Sequence, residues 1–405
     1  MDIAEAVAAV RAGPTGPSVG VFFDFEGTVV HGSSEIPGAA DLPESERVDA
    51  ARKFFVKKLA GNLYPEAWQL IRAHEEAGHT LAIVSAAPRF QVVPAAEELG
   101  IEHVLSTTPN MVAAVREFAA ERNLDLASSY AYSHSDMRLL SAVGTGLAVN
   151  AGISSPRSVV FKSRGRSTAA ELGRTVAGLA GFFGGIAVGL GRGIRLRDRR
   201  RSVDGMISHS GDLALKFGNV GVAVVGAHNA ETPRPAVFVF NHQSELDLLV
   251  LAKVLRHGFT GITKKELATS PWFGSILRFG GATFVDRSNT AQAKEALAPV
   301  IETLRGGLSI VIAPEGTRSL TPTLGPFKKG AFHIAIQAGV PIVPVVIRNA
   351  GELYWKNAKT VRPGVVDVAV LDPIYLDESD IEDLDERVEQ IRDLFAHTLT
   401  HWPAN

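Results

Sequence analysis

The chain has 405 residues and a formal net charge of −2, and 46% of its residues are hydrophobic and 21% charged. Such a length exceeds the usual size of one core, so we expect two domains, while the near-neutral charge excludes a general attraction to nucleic acid. The absence of cysteine excludes disulfides, thiolate metal sites and thiol nucleophiles. The first twenty residues lack the apolar run of a secretory signal, so we expect a cytoplasmic N-terminus.

Strand-like runs alternate with helical stretches over the first part of the chain, which predicts a parallel α/β domain over residues 1–160. The predicted strands lie at 19–25, 80–85 and 129–132, and the predicted helices at 65–77 and 111–122.

An uncharged apolar segment follows at 175–191, flanked on both sides by basic residues. A helix of 17 residues extends about 25 Å, short of the ~30 Å hydrocarbon core of a bilayer. Gly181, Gly185 and Gly189 form a small-residue stripe of the type that lets helices approach closely in lipid. We therefore expect a basic linker at 161–204 with an in-plane or re-entrant membrane anchor, and a buried soluble helix is the alternative.

The strand and helix alternation restarts and predicts a second α/β domain over residues 205–405, which ends in a long amphipathic helix. The predicted strands lie at 236–240, 282–285, 308–313, 341–347 and 365–371. The predicted helices lie at 245–255, 272–279, 290–304, 327–338 and 381–402.

His242 and Asp247 follow the predicted strand at 236–240. Alone, a histidine before an apolar helix is most often structural. Residues five apart on a straight helix lie ~140° apart, so these two meet only if His242 lies on the turn and Asp247 in the first helical turn. The carboxylate would then fix one imidazole nitrogen and leave the other to take a proton from a hydroxyl. Since no activated serine or cysteine lies nearby in sequence, direct attack by a substrate alcohol is favoured.

Further polar residues stand at the ends of two later predicted strands. Arg287 ends one strand, and a second is followed by Glu315 and Arg318. Ligands of open α/β sheets bind where strands end, and the planar guanidinium group binds phosphate through two hydrogen bonds. The sequence therefore predicts an anionic substrate.

These stretches resemble the glycerolipid acyltransferase family, close to 1-acylglycerol-3-phosphate acyltransferases, over about residues 205–375. The matching blocks are N-H-x-x-x-x-D at 241–247, G-x-x-F-x-x-R at 281–287, E-G-T-R-S at 315–319 and V-P-I-V-P-V at 340–345. The resemblance implies that His242 is the general base, Asp247 its orienting partner and Arg287 a ligand of the acceptor phosphate. The remaining residues that it implies for the acceptor-phosphate pocket are Glu315, Gly316, Thr317, Arg318 and a lysine, Lys264 or Lys265.

The resemblance implies an enzyme that moves a fatty acyl group from acyl-CoA or acyl carrier protein to lysophosphatidic acid, giving phosphatidic acid for phospholipid biosynthesis. No cofactor is required, since the thioester is already activated. We expect a peripheral, monotopic or re-entrant protein at the cytoplasmic face of a membrane with anionic lipids. The sequence leaves open whether the protein forms a homo-oligomer. The alternatives are a different acceptor and a non-catalytic lipid-binding protein.

The first domain resembles haloacid dehalogenase-like phosphatases of the phosphoserine phosphatase branch, over about residues 18–155. The resemblance rests on D-F-E-G-T with Asp24 and Glu26, on Ser85 at a second strand end, and on Y-S-H-S-D ending at Asp136. It implies a Rossmannoid domain with a reduced helical cap, and a magnesium ion held by Asp24 and Asp136.

The working residues of this first domain depart from the family pattern. Glu26 replaces an aspartate, Met111 stands where the family has a lysine, and His134 stands where it has a magnesium aspartate. Loss of a cation and a metal carboxylate predicts a weak or inactive phosphatase that serves as a scaffold, a dimerisation surface or a sensor of phosphorylated metabolites. An active phosphatase, which would make the protein bifunctional, is the alternative.

Overall fold

The chain forms two compact units in the computed structural model, Met1–Ser167 and Thr168–Asn405. The structure describes residues 1–39, 42–106, 110–150, 157–161, 168–264, 274, 278–279, 283–285, 293–319, 323–355 and 358–403. This division differs from the linker expected at 161–204, because the residues from 168 onward form two long helices that belong to the second unit.

Within the described residues, the first unit contains a six-stranded parallel sheet. Its strands are β1 (Gly20–Asp24), β2 (Thr80–Ser85), β3 (His103–Ser106), β4 (Tyr130–Ser133), β5 (Thr145–Val149) and β6 (Ser158–Val159). Its helices are α1 (Ile3–Arg11), α2 (Glu44–Phe54), α3 (Pro65–Glu76), α4 (Arg89–Leu99), α5 (Met111–Arg122) and α6 (Met137–Ser141). The strand order is β3-β2-β1-β4-β5-β6, so β1 lies at the centre of the sheet, and the predicted parallel α/β fold is confirmed.

The segment between β1 and α3 is a short helical insertion. It contains α2, a π-helical turn at Phe55–Leu59 and a 3₁₀ turn at Ala60–Asn62. This insertion occupies the place of the reduced helical cap expected from the sequence.

A buried chain of hydrogen bonds connects four segments of the first unit. His79 Nε2 lies 2.8 Å from the carbonyl oxygen of Pro14, the Nδ1 atoms of His74 and His79 are 2.8 Å apart, and His74 Nε2 lies 2.8 Å from the hydroxyl of Tyr132. Burial lowers the pKa of both histidines, that of His74 to about 3, so both are neutral. Since a carbonyl only accepts, a neutral His79 donates through Nε2 and accepts at Nδ1, so His74 donates through Nδ1 and accepts from Tyr132.

The second unit is built on a seven-stranded sheet within its described residues. Its strands are β7 (Val220–Val225), β8 (Val237–Phe240), β9 (Phe259–Lys264), β10 (Thr283–Val285), β11 (Ser309–Ile312), β12 (Ile342–Arg348) and β13 (Gly364–Val370). Its helices are α7 (Ala169–Leu196), α8 (Arg199–Phe217), α9 (Leu246–Leu255), α10 (Ala293–Arg305), α11 (Gly330–Ala338), α12 (Ala350–Leu353) and α13 (Leu384–Thr400). The predicted helix at 272–279 lies largely outside the described residues.

The sheet order is β10-β9-β11-β8-β12-β13-β7, in which β12 and β13 pair antiparallel and the other neighbours pair parallel. Apolar clusters cover both faces of the sheet: α9 packs on one face, and α11 and α13 pack on the other. Strand β8 is therefore buried on both sides, and its carboxyl end opens between β11 and β12.

Helices α7 and α8 pack closely through a glycine face. Gly181, Gly185, Gly189 and Gly193 are buried, and a Cβ atom added at Gly185 would lie 2.3 Å from the backbone nitrogen of Ser210. Helix α8 in turn packs on α9, where Asp212 accepts hydrogen bonds from Lys253 Nζ at 3.1 Å and from Arg256 Nη1 at 2.7 Å. The glycine stripe noted in the sequence thus contacts a helix of the same chain.

The opposite face of α7 is apolar and exposed. This 28-residue helix is about 42 Å long, and within the described residues it is the helix that is long and apolar enough to cross a membrane, with 22% of its most apolar window buried. The exposed apolar side chains of α7 are Leu172, Val176, Leu179, Phe183, Val188, Ile194 and Leu196.

Candidate functional site

The candidate site lies at the carboxyl ends of β8 and β11, which are parallel neighbours in the sheet. His242 follows β8 after one residue, and Glu315 follows β11 after two. Because the carboxyl ends of parallel strands meet at one edge, these two segments come together there, as is usual for ligand sites of open α/β sheets. The backbone N–H of His242 donates to Glu315 Oε1 at 2.9 Å.

His242 and Asp247 form the hydrogen-bonded pair predicted from the sequence. His242 lies on the turn after β8 and Asp247 in the first turn of α9, and Nδ1 of the imidazole is 2.8 Å from Oδ2 of the carboxylate. The same oxygen accepts the backbone N–H groups of Gln243 and Ser244, each at 2.8 Å. The carboxylate therefore closes the turn and fixes the orientation of the imidazole.

Burial and hydrogen bonding shift the pKa of Asp247 in opposite directions. The residue has no exposed surface, which raises the pKa of its carboxyl, and the hydrogen bonds from His242 and the two backbone N–H groups oppose that rise. Within the described residues its Oδ1 atom is buried without a hydrogen-bond partner. Because Asp247 accepts from Nδ1, the imidazole has Nε2 as its basic nitrogen, and 20% of the His242 side chain is exposed.

Two neighbouring residues hold the turn in place. Asn241 forms a pair of hydrogen bonds with the backbone of Ile347 in β12, at 2.8 Å through its amide nitrogen and 2.7 Å through its oxygen. Ser244 donates its hydroxyl to the carbonyl oxygen of Tyr354 at 2.6 Å. Sequence reasoning gave neither residue a role, although Asn241 begins the first matching block.

Glu315, which the sequence assigned to the acceptor pocket, joins the two loops of the candidate site. Its carboxylate is 6% exposed and accepts from the backbone of His242, from the Ser319 hydroxyl at 2.6 Å and from the backbone of Gly325 at 2.9 Å. Through these contacts Glu315 fixes the loop after β11 against the catalytic turn.

The other residues of the predicted acceptor pocket are partly described. Gly316 has φ +74°, and an added Cβ would lie 2.9 Å from Lys328 Nζ. Thr317 is exposed, and Arg318 forms an ion pair with Glu245, a residue that sequence reasoning missed. Burial lowers the pKa of Arg318. Arg287, Lys265 and the side chain of Lys264 lie outside the described residues.

The first unit has its own cavity of about 510 Å³ at the carboxyl ends of β1, β2 and β4. The predicted residues Asp24, Glu26, Ser85 and Asp136 all line this cavity, together with Met111 and Arg138. Ser133 donates to Asp24 at 2.6 Å, and burial raises the pKa of Asp24 to about 6. The structure therefore brings together the four residues that the sequence singled out.

These residues do not fit the magnesium ion implied for the first unit. The carboxylate of Glu26 accepts from the backbone and hydroxyl of Ser34, and Asp136 accepts two backbone N–H groups at the start of α6. Nδ1 of His134 lies 2.9 Å from the carbonyl oxygen of Val149. Among the described residues, no group of three or more histidines and acids could hold a metal ion, and magnesium prefers several oxygen ligands.

Comparison with known families gives two matches. Residues 221–348 match the acyltransferase family, and residues 38–141 match the haloacid dehalogenase-like hydrolases. The solved structures that resemble parts of the chain include two crystal structures of named enzymes. A 1-acyl-sn-glycerophosphate acyltransferase from Thermotoga maritima is 24% identical with a TM-score of 0.48, over 58% of this chain and 98% of that one. A phosphoserine phosphatase is 16% identical with a TM-score of 0.28, over 36% and 94%.

Curated relatives match part of the chain. The 1-acyl-sn-glycerol-3-phosphate acyltransferase of Saccharomyces cerevisiae is 36% identical over 44% of this chain and 59% of its own length. The alpha enzyme of Homo sapiens is 36% identical over 42% and 61%. An enzyme of the same name from Limnanthes douglasii is 30% identical over 47% and 67%. The chain thus spans about 60% of the length of the yeast and human relatives.

Proposed function

Because this chain belongs to the acyltransferase family and carries a haloacid dehalogenase-like domain in its first unit, we propose that it transfers a fatty acyl group to the free hydroxyl of lysophosphatidic acid and forms phosphatidic acid. The observation that carries this proposal is the hydrogen bond between His242 and the buried Asp247, beyond the carboxyl end of β8. The acyl donor is a thioester of either coenzyme A or acyl carrier protein.

The His242–Asp247 pair supports direct transfer of the acyl group from the thioester to the acceptor hydroxyl. Nε2 of His242 takes the proton from the acceptor hydroxyl while that oxygen attacks the thioester carbonyl carbon. When the tetrahedral intermediate collapses, the C–S bond breaks, and the leaving thiolate takes the proton from the imidazolium. Asp247 stabilises the imidazolium through the 2.8 Å hydrogen bond. General base catalysis of this type contributes about 10²–10⁴ in rate.

We propose Arg318 as a ligand of the acceptor phosphate. It lies on the loop that Glu315 fixes to the backbone of His242, so its distance from the general base is set by the fold. A guanidinium group can bind two phosphate oxygens at once. Arg287 stays the second proposed ligand, on the basis of its sequence block alone.

We further propose that α7 lies in the plane of the cytoplasmic leaflet. Its apolar side chains face outward, whereas its glycine face packs on α8, which carries Asp204 and Asp212. A crossing by α7 would bring these acids and the helix they belong to into the hydrocarbon, where charged residues are expensive. An in-plane helix with flanking arginines on anionic headgroups avoids that penalty. Recovery of the protein in the soluble fraction without detergent would contradict this placement.

For the first unit we propose a phosphatase-like domain with weak or no hydrolytic activity. Met111 contributes a neutral side chain to the cavity where the family pattern has a lysine, and Glu26 is held by Ser34. Phosphate release that requires magnesium and disappears in Asp24→Asn would overturn this proposal in favour of a bifunctional protein.

The acyl transfer is tested with detergent-purified protein, oleoyl-CoA and 1-acyl lysophosphatidic acid, by following free thiol and phosphatidic acid. We expect His242→Ala to abolish both products. The matched control is His257→Ala, which removes an exposed histidine paired with Glu231 and should leave the rate unchanged. Failure of the folded wild-type protein to form phosphatidic acid would refute the proposed acceptor or donor.

A further inference from the structure

The ion pair between Arg318 and Glu245 joins the two loops of the candidate site. Glu245 is three residues beyond His242 and directly precedes α9. Arg318 is three residues beyond Glu315, whose carboxylate fixes its loop to the catalytic turn. The guanidinium group proposed to bind the acceptor phosphate is therefore already paired with an acidic side chain.

The two partners differ in their exposure. The side chain of Glu245 is 50% exposed and that of Arg318 is 27% exposed. The carboxylate can therefore return to water with little loss of hydration, whereas the guanidinium group stays between the loops and needs a negative partner. A pair with this asymmetry is easily exchanged, because an exposed carboxylate gains little from its partner in water.

We propose that Glu245 competes with the acceptor phosphate for Arg318 and so limits the affinity of the acceptor site for phosphates. The proposal rests on the proposed function, since it takes Arg318 as a ligand of that phosphate. When lysophosphatidic acid binds, phosphate oxygens replace the carboxylate on the guanidinium group and Glu245 turns to solvent. When phosphatidic acid leaves, Glu245 returns to Arg318.

The competition weakens the binding of every phosphate by about the same factor, so its consequence depends on how tightly each ligand binds otherwise. A free phosphate ion gains only the contact with the cation, so the loss of the Glu245 contact offsets most of its binding. A lysophospholipid also buries its acyl chain, which adds binding energy that Glu245 does not oppose. With Glu245 in place, a small anion therefore binds too weakly to fill the site, whereas a lipid phosphate still binds through its acyl chain.

Binding is measured by calorimetry on the full-length protein in detergent, with two probes that cannot react. One is a 1-acyl lysophosphatidic acid analogue that lacks the 2-hydroxyl, and the other is inorganic phosphate. Glu245→Gln removes the charge and keeps the size of the side chain. We expect it to tighten both probes about fivefold, which corresponds to the ~1 kcal/mol of an exposed ion pair.

Two controls separate competition from a structural effect. Glu302→Gln makes the same change in an exposed pair with Arg305 and should leave both affinities unchanged. In an Arg318→Met background, Glu245→Gln should have no effect, because the contested cation is gone. In kinetic assays, the acceptor KM should fall in Glu245→Gln by more than any change in kcat.

The outcomes distinguish this proposal from the proposed function. If the wild-type protein binds the lipid analogue and Glu245→Gln binds it no more tightly, the competition is refuted and the acyltransferase proposal stands. The competition is also refuted if Glu245→Gln tightens the binding of the probes equally in the wild-type and the Arg318→Met backgrounds. If the lipid analogue binds neither the wild-type protein nor any variant, the proposed acceptor fails, and this proposal fails with it.

Discussion

Replacing Gly185 by alanine should destabilise the packing of α7 on α8. The added methyl group would lie 2.3 Å from the backbone nitrogen of Ser210 and 2.4 Å from the carbonyl oxygen of His209. Backbone atoms cannot turn away as a side chain can, so the helices must separate along the whole glycine face. We expect a cost near the upper end of the ~1–3 kcal/mol of overpacked cores, offset by about 1 kcal/mol from the better helix propensity of alanine.

The adjacent residue supplies the control. An added Cβ at Gly184 meets nothing within 4 Å, so Gly184→Ala should stabilise the helix by up to ~1 kcal/mol. Thermal unfolding in detergent should show a transition about 5 °C lower for Gly185→Ala, given ~2–4 °C per kcal/mol for a unit of this size. Equal transition temperatures for the two variants would refute the close packing of α7 and α8.

Three further predictions concern the site and the first unit. Asp247→Asn should lower kcat about 10²–10⁴-fold, because the imidazolium loses its buried carboxylate, and steady-state kinetics measure this loss. Glu315→Gln should lower kcat about tenfold, the effect of ~1.4 kcal/mol, because an amide nitrogen then faces donors that now bind a carboxylate. The pKa of His74, lowered from 6.5 to about 3, means that the unfolded chain binds more protons below pH 6.5. The first unit should therefore lose ~1.4 kcal/mol of stability per pH unit as the pH falls below 6.5, and none above it.

The controls for these predictions follow from the same contacts. Asp385→Asn alters an exposed acid that pairs with Lys329, and it should leave kcat unchanged. The pH series is measured by urea unfolding in an Asp24→Asn background, because the raised pKa of Asp24 adds stability as the pH falls from 6 to 3.8 and would mask the effect of His74. A stability that is flat between pH 6.5 and pH 5 in that background would exclude the neutral histidine chain.

Local patterns predicted those features that depend on neighbouring residues. The spacing of His242 and Asp247 required a turn followed by a helix, and the structure has both, with Asp247 in the first turn of α9. The alternation of strands and helices predicted the α/β fold of both units and the parallel sheet of the first, because a strand buried on both faces needs a continuous apolar run.

Features that depend on distant residues were not predicted. The sequence assigned Glu315 to the acceptor pocket but did not reveal that its carboxylate accepts from the backbone of His242, 73 residues away. The arginine-rich start of α8, residues 199–204, was taken as part of a basic linker, and the face of this helix that packs on α7 was not predicted. The small residues Ser202 and Ser210, at helical spacing opposite the glycines, were the signal that could have revealed it.

The most direct test of the transfer mechanism measures thiol release and lipid product with and without acceptor. Wild-type protein is mixed with acyl-CoA alone and then with lysophosphatidic acid, and intact mass is recorded in each case. We expect no thiol release and no added mass without acceptor, and one phosphatidic acid per thiol with it, because His242 activates the acceptor itself. A burst of thiol with an acylated protein in the absence of acceptor would contradict direct attack.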